Sequence, residues 1–142
     1  MFKLDPQLEA DTFFVGMTPL SRILLMNDCR YPWLILVPER PGITEAFELG
    51  EEDQRRLWQE SMVLGEVMKT CFSAHKLNIA TLGNQVSQLH VHHIARFRTD
   101  PAWPRPVWGI GAAEPYTPDA ALARVSSLRE VLSQQFALKP LP

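Results

Sequence analysis

The run Trp33-Leu34-Ile35-Leu36-Val37, bracketed by Pro32 and Pro38, constrains the fold more than any other stretch. A strand with one wet face alternates apolar and polar residues. This one carries no polar residue, so it is expected to be buried on both faces. A chain of 142 residues can supply such a core as one domain.

The neighbouring segments read as further elements of that domain. Asp5 to Asp11 suits a short helix, with Asp5 as N-cap and Pro6 at the first helical position. Phe13 to Val15 is a short apolar run, and Gly16 to Pro19 reads as a turn. Ser21 to Asn27 is a strand candidate. Glu51 to about His75 carries a helical stripe of Leu57, Ser61, Leu64, Met68 and Cys71, widened by Trp58, Met62 and Phe72. Glu51, Glu52 and Asp53 stand where a helix dipole favours anions, and Gly65 costs the helix a little. Leu77 to Leu82 and Leu89 to Phe97 read as strands, with Gly83-Asn84 as a turn. Residues 99–116 form a proline- and tryptophan-rich loop. Thr117-Pro118-Asp119 opens a last helix running to about Phe136, and the KPLP tail is expected to fray. Strands joined both by short loops and by a long helix predict an α+β fold with a mainly antiparallel sheet.

Composition excludes several classes. Fourteen Lys and Arg against sixteen Asp and Glu give a net charge of −2, without the basic excess of a nucleic-acid-coating protein. Cys29 and Cys71 are too few for a disulfide scaffold. No apolar run approaches the roughly 20 residues that span a bilayer. The start carries early acids and no apolar signal core. A soluble, cytoplasmic single domain is the expectation.

Three of the four histidines fall within Gln88-Leu89-His90-Val91-His92-His93-Ile94. On a strand, Gln88, His90 and His92 share one face at steps of about 7 Å, while Leu89, Val91 and His93 share the other. Leu89 and Val91 mark their face as packed, and His93 lies on it or at its margin. The Gln/His/His face admits three readings. It is a half-solvated polar row, or a His-x-His metal site supplemented by Cys71 and His75 at i, i+4, or a site of nucleophilic catalysis by imidazole. No acidic residue lies nearby in sequence to complete a metal site.

The stretch resembles the active-site strand of the histidine triad (HIT) family, in which a Gly-Gln pair precedes His-φ-His-φ-His-φ-φ (φ apolar), often followed by Pro-Arg. Gly83-Asn84 stands for Gly-Gln. Gln88 takes the place of the first His, His90 the second and His92 the third, and Ala95-Arg96 stands for Pro-Arg. Leu25-Met26-Asn27 is similar to the family's early strand ending in a ribose-holding Asn. WLILVP is similar to the next strand, with Pro32-Trp33 in place of Gly-His, and Glu51 to His75 to the long helix. The likeness covers about residues 13–97, with 1–12 as an N-terminal segment. Pro106-Val107-Trp108-Gly109 resembles a segment of a bacterial branch that is diadenosine tetraphosphate hydrolase-like. Residues 98–116 then form a loop, and 117–142 the last helix and tail.

The resemblance implies a HIT-like fold, with a five-stranded sheet, one long helix and a C-terminal helix. It implies a nucleotide hydrolase or transferase in which His90 attacks the α-phosphate and a nucleotidyl-imidazole is then hydrolysed. His92 and the Gln88 amide would donate to the phosphoryl oxygens, Asn27 would hold the ribose, and Asn84 would reach the phosphates. Trp33, Phe13 and Phe14 would wall a base pocket or pack in the core, and Arg96, Arg98 and Arg105 are candidates for further phosphates. The substrate would be a dinucleoside polyphosphate or a nucleoside phosphoramidate. A homodimer is implied, with no required cofactor, although a divalent ion would arrive with a polyphosphate. No membrane or nucleic-acid partner is expected. Gln88 motivates one alternative, a nucleotide-binding regulatory protein with little turnover. A metal enzyme using His90 and His92 is the other.

Overall fold

The computed structural model describes residues 1–141. Five strands form one sheet: β1 (Thr12–Met17), β2 (Ser21–Met26), β3 (Trp33–Pro38), β4 (Lys76–Ala80) and β5 (Val91–Arg96). Their spatial order is β1-β2-β3-β5-β4, and every neighbouring pair is antiparallel. The helices are α1 (Pro6–Asp11), α2 (Glu51–Cys71) and α3 (Pro118–Leu132), with a 3-10 turn at Ala46–Glu48 before α2. This is the α+β architecture expected from the sequence.

Every residue of β3 is buried, because both faces of the sheet are covered. On one face Leu34 and Leu36 pack with Leu57, Leu64 and Met68 of α2 and with Val125 and Leu128 of α3. On the other face Trp33, Ile35 and Val37 meet Leu4 and Leu8 of the N-terminal segment and Ala102 and Val107 of the proline-rich loop. The second layer is therefore built from pieces that carry little regular structure.

Local signals account for the helix starts. The Asp5 carboxylate accepts from the Gln7 N–H at 2.8 Å, with Pro6 opening α1. Thr117 caps α3 by accepting from the Ala120 N–H at 3.2 Å. The end of α2 falls four residues short of His75. Phe72 caps it, and Ser73 adopts φ 51°, a left-handed conformation that stops the helix. Three other expectations for α2 change. Cys71 is exposed instead of joining the buried stripe. Trp58 and Met62 are also exposed, at 63% and 39%. Gly65 has a packing reason: a Cβ there would stand 2.5 Å from Leu77 Cδ2, so its absence lets α2 lie close on β4.

The proline-rich loop is tied to the sheet by two arginines. Arg96, 1% exposed, forms a fork with Asp100 at 2.8 and 3.0 Å and donates to Arg105 O and Asn78 Oδ1, each at 2.8 Å. It is a structural tie, not a free phosphate ligand. Arg30 pairs with Asp28 at 2.8 Å and reaches Ile110 O at 2.7 Å. The tail is also held: Lys139 exchanges two backbone hydrogen bonds with Met17 on the edge of β1, at 2.9 and 3.0 Å, so the expected fraying is not seen there. Among the described residues no helix is long and apolar enough to cross a membrane.

Candidate active site

Register places the histidines. On β5, His92 stands opposite Ile35 of β3 and Ala80 of β4, while His93 stands opposite Leu34 and Ile79. Side-chain alternation then sends the two rings to opposite faces. His93, fully buried, meets Ser61 of α2, with Nε2 2.7 Å from the hydroxyl. Burial pushes its pKa down to about 4, so this ring is a neutral member of the helix-side core. His90 and His92 lie together on the other face, with ring centroids 4.9 Å apart.

Each of these two rings has one nitrogen fixed by a neighbour. His90 Nδ1 lies 2.6 Å from the Gln88 carbonyl oxygen, which can only accept. Nδ1 therefore carries the proton and Nε2 keeps its lone pair. His92 is the reverse case. The Trp33 indole N–H, which can only donate, is 3.0 Å from His92 Nδ1. Burial, reinforced by His90 and His93, pushes the His92 pKa down to about 3, so the ring is neutral, with its proton on Nε2. Trp108 packs edge-on against His92, with centroids 5.1 Å apart, and against Trp33 at 5.8 Å.

Gln88 is not placed as strict alternation predicts. Pairing in β5 begins at Val91, so the period of two does not extend to residue 88. Its side-chain carbonyl instead accepts from the Asp5 N–H at 2.9 Å, and its amide donates to Lys3 O at 2.9 Å. Gln88 thus fastens the N-terminal segment, with one of its two amide N–H groups engaged by Lys3 O.

A cavity of about 300 Å³ opens beside the two rings, lined among others by Leu8, Met26, Trp33, Asn84, His90 and Trp108. A second, of about 330 Å³, is lined by Asn27, Asp28, Arg30 and Gly109, and shares Asp11, Met26, Trp33 and Trp108 with the first. Asn84 thus lies with the histidines and Asn27 in the adjoining space. The Asn27 Oδ1 accepts from the Tyr116 N–H at 2.9 Å, leaving its NH₂ as the available donor. Sequence reasoning did not give α1 or Trp108 a definite place in the site. The Pro106-to-Gly109 motif was the signal for Trp108, whereas nothing in the short α1 sequence pointed to a cavity wall. Phe13 and Phe14 do not line either cavity. Arg98 lies elsewhere, donating to His75 Nε2 at 3.2 Å. Among the described residues, no three His, Cys, Asp or Glu side chains gather as a metal-binding group. Cys71 and His75 are not brought to the His90/His92 cavity.

Residues 7–99 match the model of the HIT domain family, a span that includes all of α1 but Pro6. A search of curated proteins returned no match. A histidine triad protein from Marinobacter aquaeolei VT8 is 48% identical, with TM-score 0.92, covering 94% of this chain and 98% of that one. One from Sinorhizobium meliloti 1021 is 46% identical, with TM-score 0.89, over 92% and 96% of the two chains. One from Bradyrhizobium japonicum is 43% identical, with TM-score 0.88, over 91% and 96%. On the strength of the matched span and these identities, the chain belongs to the HIT domain family.

Proposed function

We propose that the protein is a nucleotide hydrolase or transferase that cleaves a phosphoanhydride or phosphoramidate at the α-phosphate through a covalent intermediate on His90. HIT domain proteins are in general nucleotide-binding hydrolases and transferases. The observation that carries the reading here is the 2.6 Å bond from His90 Nδ1 to the Gln88 carbonyl. It leaves Nε2 unprotonated and nucleophilic beside an open cavity.

In the first step the Nε2 lone pair attacks the α-phosphorus. The bond to the leaving group breaks, and that group departs with the bonding electrons and takes a proton from solvent. The nucleotidyl-imidazolium keeps its Nδ1–H on the Gln88 carbonyl, which stabilises the positive ring. Water then attacks phosphorus, the P–N bond breaks back to Nε2, and the proton of water leaves to solvent. Charge on the equatorial oxygens needs fixed donors. The neutral His92 Nε2–H and the Asn84 amide fill that role, and the Asn27 NH₂ serves a ribose hydroxyl. Gln88, its amide engaged elsewhere, acts through its backbone carbonyl. A dinucleoside polyphosphate or a nucleoside phosphoramidate fits this chemistry, and a divalent ion would come with the former. The outer edge of β4 and the exposed Trp58 and Met62 support a homodimer pairing through this side of the molecule.

Turnover of a panel of dinucleoside polyphosphates and nucleoside phosphoramidates tests the reading. The wild type turns over at least one class, and His90→Ala loses about a thousandfold or more in kcat. Equal rates would remove His90 from the mechanism. The engaged Gln88 amide favours one second reading, a nucleotide-binding protein with little turnover. Tight nucleotide binding with no product across the whole panel would establish it.

A further inference from the structure

Among the described residues the His92 ring has one polar partner, the Trp33 indole, and this contact carries a consequence for the site. Trp33 opens β3 immediately after Pro32 and stands opposite Ile94 of β5, two residues along the strand from His92. The indole N–H reaches across to His92 Nδ1 at 3.0 Å, between residues 4% and 5% exposed. An indole N–H has no acceptor capacity, so this contact exists only while Nδ1 is unprotonated. Protonating Nδ1 would place two N–H groups against each other at 3.0 Å in a buried site.

We infer that Trp33 is a positioning residue that locks His92 as the Nε2–H tautomer, making it a permanently neutral hydrogen-bond donor that takes no part in proton transfer. Its bearing on catalysis rests on the function proposed above, whereas the tautomer itself does not. The surroundings agree with a neutral ring. His92 packs against the His90 ring, which just precedes β5, and adjoins His93 on the strand. Trp33 and Ile35 on β3, Ala80 on β4 and Trp108 of the loop bring no charge. From α1 the ionisable group lining the same cavity is Asp11, whose carboxylate accepts from Gln7 Nε2 at 2.8 Å. Burial already pushes the His92 pKa down, and the indole acts in the same direction.

A permanently neutral His92 has a mechanistic consequence. A donor that never ionises offers the phosphoryl oxygens the same N–H at every working pH. The proton needed by the leaving group must then come from solvent or from the substrate.

Long-range proton–nitrogen NMR of the imidazoles reads the tautomer directly and needs no substrate. In the wild type, His92 shows the Nε2–H pattern with no titration between pH 5 and 8. Observation of Nδ1–H or of an imidazolium in that range overturns the inference, whether or not any variant folds. In Trp33→Phe, which keeps a ring but removes the N–H, His92 shows mixed tautomers or begins to titrate. An unchanged pure Nε2–H signal in that variant also overturns it. With a substrate in hand, Trp33→Phe lowers kcat about tenfold with KM little changed and makes the rate sensitive to the ionisation of His92. A loss of turnover in the wild type would count against the proposed function alone, because the tautomer measurement stands without it.

Discussion

Gln88 and His90 are joined through one carbonyl, and this separates two roles that a single side chain was expected to carry. The Gln88 backbone sets the His90 tautomer, while its side chain holds Lys3 and Asp5. Gln88→Ala removes only the second role. It should cost about 1–3 kcal/mol, from two lost hydrogen bonds and an Asp5 N–H left without its partner, read as a lower urea midpoint. The nucleotidyl adduct on His90 should still form, because the carbonyl remains. The His-x-His spacing made the paired rings and the opposite placement of His93 legible in the sequence. The orientation of Gln88 was not, because alternation holds only inside a paired strand and β5 begins three residues later.

Among the elements, the loop of residues 99–116 depends most on single contacts. Its fold rests on the buried Arg96–Asp100 fork, both side chains nearly inaccessible. Asp100→Ala leaves the Arg96 guanidinium buried and uncompensated, and a loss of about 3–5 kcal/mol in denaturant unfolding is expected. An effect under about 1 kcal/mol would mean that the loop is held by its apolar contacts alone. The sequence marked this segment as shaped by its prolines and tryptophans, yet gave no sign that Arg96 turns inward. An arginine near the end of a strand reads as solvent-facing unless its partner, four residues away in a loop, is known to fold back. α2 shows a similar limit. The helical period identified the element, but periodicity cannot separate a core stripe from a surface that packs on another molecule. Trp58 and Cys71 are therefore exposed although the pattern placed both inside.

For the whole molecule, pH and assembly are the relevant variables. His92 and His93 both have folded pKa values below the ordinary histidine value of 6.5, at about 3 and about 4. Between those values and 6.5 the unfolded chain binds protons that the folded chain refuses. Their contribution to stability is thus complete above pH 6.5 and is lost as pH falls toward about 4 for His93 and about 3 for His92. Each group adds a slope of up to about 1.4 kcal/mol per pH unit in that window. Urea unfolding at pH 7, 5.5 and 4.5 should show stability decreasing at each step, and a flat profile would contradict the burial of the two rings. Assembly is tested by Trp58→Glu, which places a charge on the exposed face of α2. Sedimentation should show a dimer for the wild type and a monomer for the variant. The overall architecture was the most legible property of the sequence. One doubly buried strand, Trp33–Pro38, requires cover on both sides. What the sequence did not disclose is that the cover on the site face comes from the N-terminal segment and the proline-rich loop, whose contacts are non-local and leave no periodic trace.

The most direct test of the central claim is mass spectrometry of a rapidly quenched reaction, kept away from acid, on protein mixed with a turned-over nucleotide. A nucleotidyl mass on the peptide containing His90, absent from His90→Ala and present in Gln88→Ala, is the predicted result. Turnover with no adduct on His90, or with the adduct on another residue, would contradict it.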